Sequence, residues 1–185
     1  MPLPKFDQIT MGQREPEYLT WTALCVAMGV TSYVELGTGS AHFMKRAGVD
    51  KVIAMDINNP EAATLHNPHR ETGVSYVQGN SHDADMLRYV VEFLGDLPDA
   101  VFIDADHDGD APRRDFDLWW PNTRMLMGFH DIRIPNVAYL WHEISLQISS
   151  VKLIGCDRAS AVSWQGPGCP QDGILSAGGI GVLFK

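Results

Sequence analysis

Acidic residues crowd one short stretch of the sequence, FIDADHDGDAPRRD over residues 102–115. Its acids and Gly109 satisfy the first, third, fifth, sixth and twelfth positions of a calcium-binding EF-hand loop. An EF-hand also needs a helix on each side of that loop, whereas Val101, Phe102 and Ile103 favour a buried strand. A solvated acidic loop is the plain alternative. We expect ligand-binding chemistry instead, because open parallel sheets place their ligands at the carboxyl ends of strands.

A glycine-rich turn, VELGTGSAHF over residues 34–43, follows an earlier apolar run. Gly37 and Gly39 permit a tight turn and a close approach of the backbone to a ligand at the start of the next helix. His42 stands where dinucleotide-binding folds have a third glycine, which argues against a nicotinamide or flavin cofactor. Glu35, just before the turn, suits a cationic ligand better than a pyrophosphate. Asp56, nineteen residues after Gly37, is placed to accept hydrogen bonds from ribose hydroxyls.

The elements that must position these residues alternate between strand and helix. Short apolar runs predict strands at 32–36, 51–57, 74–79, 100–105 and 124–129, and the segments between them predict helices at 40–48, 83–95 and 111–120. A helix at 136–148 and strands at 151–155 and 179–185 complete the pattern. Such alternation predicts an α/β fold with a mostly parallel sheet, since parallel neighbours need long crossovers.

Two further segments carry expectations of their own. Before the first strand, a helix is predicted with Leu19, Ala23, Val26 and Ala27 at helical spacing. Residues 157–177 are rich in glycine and proline and are too long for a simple connection, so we expect a loop or lid there.

Composition limits the class of protein. The 185 residues include 14 basic and 23 acidic side chains, for a net charge of −9, and basic residues form no cluster. Nucleic acid and anionic membranes are therefore disfavoured as partners. The three cysteines form no CxxC pair, residues 1–15 are polar without an apolar signal core, and no run of about 18 apolar residues occurs. We expect a single domain over residues 1–185 and a cytoplasmic location.

Glu35, Gly37, Gly39, Asp56 and Asp104 occupy successive predicted strand ends in an order that resembles the class I S-adenosylmethionine-dependent methyltransferases. The resemblance covers nearly the whole chain and implies a Rossmann-like fold whose seven-stranded sheet ends in an antiparallel strand. It also implies that these residues bind S-adenosyl-L-methionine, together with Thr38 in the turn and Ile57 beside Asp56. In the same family the end of the third strand contacts adenine, where this chain has Asn80 and Ser81.

The pair of segments FIDADHDGDAPRRDFDLWWP and GFHDI resembles the metal-dependent small-molecule O-methyltransferases, related to enzymes that tailor antibiotic sugars. The resemblance implies a divalent metal, Mg²⁺ or Mn²⁺, held by Asp104, His130 and Asp131, with His107 as general base. Two alternatives stay open. Periodicity does not separate Asp104 from Asp106 as a ligand, because residues two apart share a face of a strand. His130 could support a ligand or contact substrate rather than bind the metal.

The sequence therefore predicts methyl transfer to a hydroxyl of a small molecule. A histidine can accept the acceptor's proton near neutral pH, and a dication stabilises the resulting alkoxide. The alternatives are an NAD-type oxidoreductase and a non-catalytic protein that binds S-adenosylmethionine. The acceptor is not encoded in any motif, and a homo-oligomer in which a second subunit completes the acceptor site is a further expectation.

Overall fold

The computed structural model describes residues 15–37, 41–58, 73–153 and 179–185, with side chains from residue 17 onward. The elements in these ranges are α1 (Glu15–Ala27), β1 (Ser32–Leu36), α2 (Ala41–Arg46), β2 (Lys51–Asp56), β3 (Val74–Gln78), α3 (Ala84–Leu94), β4 (Ala100–Ile103), α4 (Ala111–Trp119), β5 (Leu126–Phe129), α5 (Pro135–Ser145), β6 (Ser150–Leu153) and β7 (Ile180–Phe184). Strand and helix alternate as predicted, and the Rossmann-like α/β fold is confirmed.

All seven strands belong to one sheet, in the order β3-β2-β1-β4-β5-β7-β6. Strands β1 to β5 run parallel, while β7 lies antiparallel between β5 and β6. The strand order reverses between β1 and β4, because β1 has β2 on one side and β4 on the other. In an open α/β sheet, the crevice beyond the carboxyl ends at such a reversal is the usual place for a ligand.

Apolar side chains cover both faces of the sheet. One face packs against α1 and α2 through aromatic residues such as Tyr18, Trp21 and Phe43, and the other packs against α3, α4 and α5. All five residues of β1 are buried, including the polar Ser32 and Glu35, as expected for a central strand that is covered on both faces.

Helix α1 forms where it was predicted, but it buries a different face. Tyr18, Trp21 and Cys25 are almost completely inaccessible, whereas 44% of Val26 is exposed. The predicted spacing started from aliphatic residues, while the larger aromatic rings of Tyr18 and Trp21 nearby in the sequence have more surface to bury against the sheet. The buried face also contains a carboxylate, Glu17, whose partners are described below.

Some predictions lie outside the described residues: the loop at 157–177, the polar segment before residue 15, and the turn residues Thr38 and Gly39. Among the described helices, none combines the length and the apolar character that crossing a membrane would require.

Candidate active site

Backbone hydrogen bonds join the loops at the carboxyl ends of the five parallel strands into one row. The donor and acceptor pairs are Gly79 N to Asp56 O at 2.8 Å, Gly37 N to Met55 O at 2.7 Å, Asp104 N to Leu36 O at 2.9 Å, and His130 N to Ile103 O at 3.0 Å. Each bond ties the first residue beyond a strand to the neighbouring strand. The side chains that follow these strands are therefore held along one rim.

A cleft of about 580 Å³ opens along this rim. Its walls include most of the residues that were predicted to bind the cofactor: Gly37, Asp56, Ile57, Asn80, Ser81 and Asp104. Such a volume lies within the ordinary range for small-molecule sites. The structure thus gathers residues that are up to 67 positions apart in the sequence into one crevice.

Gly37 permits the closest approach between two of these loops. Its φ is +94°, and a Cβ at this position would lie 2.1 Å from the carbonyl oxygen of Asp104. Any side chain would therefore push the first turn away from the loop after β4. This contact is the physical reason that a glycine occupies position 37.

Glu35 is the exception among the predicted cofactor residues within the described ranges. It is fully buried in β1 and does not line the cleft. Alternation along the strand places its side chain with Tyr33 on the face that packs against α1. Its predicted contact with the cationic end of the ligand remains a prediction.

Four side chains meet beside the cleft at the ends of β4 and β5. His130 Nδ1 lies 3.2 Å from Asp104 Oδ1 and 3.3 Å from Asp131 Oδ2. His107 Nε2 lies 3.9 Å from each of the same two oxygens. Two carboxylates therefore face two imidazoles, and Asp104 belongs both to this cluster and to the wall of the cleft.

The two histidines differ in burial. The side chain of His130 is 4% exposed and that of His107 is 27% exposed. Burial alone would lower the pKa of His130, but the carboxylates of Asp104, Asp131 and Glu17 outweigh it and hold that pKa well above its ordinary value. Without a bound cation, His130 therefore supplies the positive charge that these acids need.

Asp131 has a backbone conformation that suggests a functional constraint. Its φ is +54°, and it is alone in this respect among the non-glycine residues in the described ranges. Aspartate tolerates the left-handed region better than most residues, yet strain of this kind persists mainly at functional sites. Here it turns the carboxylate toward His130 and His107.

The cluster fits a divalent cation. Two ligands at right angles, each about 2.1 Å from one ion, are about 3.0 Å apart, close to the separations of His130 Nδ1 from the two carboxylate oxygens. Nε2 of His107 and both ring nitrogens of His130 are buried, and carboxylate oxygens face them at 3.2 to 3.9 Å. Asp104, His107 and Asp131 also form a group compact enough to hold a metal. That group contains His107, the predicted base, in the place of His130, the predicted ligand.

Sequence reasoning missed a buried pair that supports the other end of the cleft. Asp115 on α4 is fully buried, and its Oδ1 lies 3.4 Å from Nε2 of His82. Burial raises the pKa of Asp115. Trp119 Nε1, on the same helix, donates to the carbonyl of Ser81 at 2.9 Å. Helix α4 therefore braces the loop after β3, and Asp115, the twelfth position of the apparent calcium motif, lies inside the fold.

Two further residues support the histidines. Asn136 on α5 donates through Nδ2 to the carbonyl oxygen of His107 at 3.0 Å. Glu17 on α1 places Oε2 3.7 Å from Nε2 of His130. Neither residue belongs to a motif, and both come from helices at other points of the chain, so no local spacing could have indicated them.

Comparison with known proteins identifies the fold. No protein-family model matches the chain, and no curated protein matches it in sequence. Among solved structures, the chain is similar to an O-methyltransferase from Bacillus cereus in complex with SAH, with 15% identity, coverage of 99% of this chain and 84% of that chain, and a TM-score of 0.66. A Staphylococcus aureus protein assigned as a caffeoyl-CoA O-methyltransferase gives 15% identity, 99% and 86% coverage, and a TM-score of 0.64. The methyltransferase domain of bacterial CtHen1-C gives 12% identity, coverage of 91% of this chain and 96% of that chain, and a TM-score of 0.57. The chain therefore has the methyltransferase fold that its sequence predicted.

Proposed function

We propose that this protein transfers a methyl group from S-adenosylmethionine to a hydroxyl oxygen of a small molecule, with the help of a divalent cation. One observation carries the proposal: Asp104 lines the cleft that contains Asp56 and also lies 3.2 Å from the imidazole of His130. A nucleoside in that cleft would be adjacent to the cluster of acids and histidines. Methyl donor and acceptor activation would then share one site.

The cleft residues divide the work of holding the donor. Asp56, at the end of β2, accepts hydrogen bonds from the ribose hydroxyls, and the exposed Ile57 beside it offers apolar contact. Asn80 and Ser81 face the adenine. Gly37 brings the backbone close to the ligand. Thr38 and Gly39 are assigned to the cofactor from the sequence, and the buried Glu35 favours its cationic end through charge rather than by lining the cleft.

Asp104, His130 and Asp131 would hold the metal, Mg²⁺ or Mn²⁺. Carboxylates suit both ions, and the imidazole nitrogen favours Mn²⁺. When bound, the cation lowers the pKa of the acceptor hydroxyl and stabilises its alkoxide. His107, on the more exposed side, takes the hydroxyl proton at Nε2 as the oxygen attacks the sulfonium methyl. The C–S bond breaks as the O–C bond forms, and a neutral thioether leaves.

Magnitudes indicate which contribution dominates. A general base contributes about 10²–10⁴-fold, which corresponds to roughly 3–5 kcal/mol. Alignment of the acceptor oxygen with the methyl group contributes about 7–11 kcal/mol. Most of the rate enhancement therefore comes from positioning the reactants, which agrees with the backbone hydrogen bonds that join the loops of the site. The net charge of −9 favours an uncharged or cationic small acceptor over a nucleic acid.

Calorimetric titration with S-adenosylhomocysteine, with and without Mg²⁺ or Mn²⁺, tests the proposal. We expect the nucleoside to bind and the metal to bind beside it, with turnover of radiolabelled S-adenosylmethionine on a panel of hydroxyl acceptors that requires the metal. Binding of NAD in place of S-adenosylhomocysteine would identify an oxidoreductase. Nucleoside binding with no metal binding and no turnover would identify a non-catalytic binding protein. Either result would end the proposal.

A further inference from the structure

Glu17 is a buried acid that lies outside every motif described above. It occupies the first turn of α1 and is 3% exposed. A carboxylate at that depth is costly unless it meets positive charge or hydrogen-bond donors. Its partners therefore indicate what it does.

Both oxygens of Glu17 have identified neighbours, each next to the end of a strand. Oε1 accepts a hydrogen bond at 2.9 Å from the backbone N–H of Gly179, just before β7. Oε2 lies 3.7 Å from Nε2 of His130, just after β5. Because β5 and β7 are adjacent in the sheet, the Gly179 bond fixes the carboxylate in front of the imidazole.

The imidazole of His130 connects Glu17 to the acids of the rim. Its Nε2 faces Glu17, and its Nδ1 faces Asp104 at 3.2 Å and Asp131 at 3.3 Å. The ring is rigid and planar, so whatever fixes one nitrogen also determines where the other points. A carboxylate on the far nitrogen is the usual way in which proteins orient a histidine that binds a metal.

We propose that Glu17 is the positioning residue of this site: it holds His130 with Nδ1 directed at Asp104 and Asp131, and so sets the affinity of the cluster for a divalent cation. The inference rests on the proposed function for the role of the cation, but not for the orientation of the ring. It assigns a role in metal binding to α1, a helix that precedes every motif in the sequence.

A purely structural role for Glu17 makes different predictions. An acid in the first turn of a helix stabilises the helix dipole, and the bond to Gly179 ties α1 to β7. Glu17→Gln would lower the unfolding temperature whether Glu17 is purely structural or also positions His130, so thermal stability does not distinguish the two roles. The affinity for manganese and the imidazole spectrum of His130 do distinguish them.

The experiment compares Glu17→Gln with Thr22→Val, an isosteric change at another fully buried polar residue of α1. Manganese binding is measured by calorimetry in the presence of saturating S-adenosylhomocysteine, for both variants and also in a His130→Gln background. Imidazole ¹H–¹⁵N spectra are recorded for the metal-free proteins. We expect Glu17→Gln to weaken manganese binding by about 10–100-fold and to shift the His130 Nε2 signal. Thr22→Val should do neither.

The two proposals fail in distinguishable ways. If Glu17→Gln binds manganese as tightly as Thr22→Val, or if its effect persists undiminished without His130, Glu17 is structural and the inference is wrong. If the wild-type protein binds no metal, the proposed function fails, and the spectra still decide the orientation: an unchanged His130 signal in Glu17→Gln rejects the inference.

Discussion

Buried acids have different surroundings at the two ends of the parallel strands, which we call the amino edge and the carboxyl edge of the sheet. At the amino edge, Oδ2 of Asp99 accepts hydrogen bonds from Thr31 N at 2.9 Å, Thr31 Oγ1 at 2.8 Å and Ser32 N at 3.2 Å. Ser32 Oγ accepts in return from Asp99 N at 2.9 Å. The carboxylate is 4% exposed and has donors on several sides. Such an acid is fully used in joining β1 to the loop before β4.

At the carboxyl edge, Asp104 and Asp131 face imidazole nitrogens of His130 and His107 at 3.2 to 3.9 Å. Acids and histidines gathered beside a cleft, with the pKa of His130 raised by the carboxylates around it, indicate a candidate binding site. The contrast teaches that burial of an acid does not by itself indicate function. What separates the two edges is what faces the acid: backbone and hydroxyl donors at the amino edge, and imidazole nitrogens beside a cleft at the carboxyl edge.

The largest expected effect is at Asp104. Asp104→Asn should remove metal-dependent turnover, because it takes a carboxylate from the proposed metal and alters the wall of the cleft, while loss of one electrostatic contact alone costs about 10²–10³-fold. The free energy of unfolding should fall, since the buried His130 loses the carboxylate that contributes most to its raised pKa. Steady-state kinetics and denaturant unfolding measure the two effects.

Asp106→Asn is the matched control, because Asp106 lines the same cleft and lies two residues after Asp104, where periodicity does not separate the two. Its side chain is exposed and accepts from the backbone of Asp108 at 2.9 Å. We expect nearly wild-type turnover. A greater loss in Asp106→Asn than in Asp104→Asn would contradict the assignment.

Much of this arrangement could be predicted from the sequence because it follows from strand ends. A parallel sheet brings the residues after each strand to one edge, so Asp56, Asn80, Asp104 and Asp131 could be placed together from apolar runs alone. Gly37 could be placed because a tight turn needs it. Periodicity could not separate Asp104 from Asp106, and the resemblance favoured Asp104, which the structure places beside His130 while Asp106 is exposed.

The rest depends on contacts between elements that are far apart in the sequence. Glu17 reaches His130 across 113 positions, and Asp115 reaches His82 through the packing of α4. The predicted buried face of α1 was wrong, because the spacing of apolar residues along a helix does not show which side chains pack against the sheet. The left-handed backbone of Asp131 likewise has no signature in residue type beyond aspartate's tolerance for it.

The next effect in size is at His107. His107→Ala should slow turnover by about 10²–10⁴-fold, the usual contribution of a general base, while S-adenosylhomocysteine binding survives. Single-turnover rates and calorimetry provide the two readouts, and the exposed His142 serves as a control through His142→Ala. A matched loss of nucleoside binding in His107→Ala would assign it to the cofactor site instead. A matched loss of manganese affinity would make it a metal ligand, as its 3.9 Å distances allow.

At the amino edge, Asp99→Ala should affect stability and leave catalysis intact. It leaves the two donors of Thr31 and the buried N–H of Ser32 without their acceptor, at a cost of about 3 kcal/mol in the free energy of unfolding. For a chain of this size the midpoint of thermal unfolding should fall by about 6–12 °C. Turnover measured well below that midpoint should match the wild type, and a loss of turnover in the fully folded variant would remove the distinction between the edges.

The smallest effect concerns charge at the amino edge. Burial acts to raise the pKa of Asp99, but the hydrogen bonds from Thr31 and Ser32 and the charge of Arg124 outweigh it, so the pKa lies below its ordinary 3.8. A carboxyl whose pKa is lower in the folded state stabilises the fold fully above its unfolded pKa and loses that contribution as pH falls through the folded value. Asp99→Asn should therefore be less stable than the wild type at pH 7, and the difference should shrink below about pH 4.

Urea unfolding of both proteins between pH 7 and pH 3 measures that difference, with Asp96→Asn as the control. Asp96 pairs with the same Arg124 at 2.8 Å, but its side chain is 66% exposed. Exposed pairs contribute about 0–1 kcal/mol, so this change should alter stability little at any pH. If the stability difference for Asp99→Asn stays constant down to pH 3, the charge of Asp99 contributes nothing. Its hydrogen bonds alone would then distinguish the amino edge from the rim that carries the proposed chemistry.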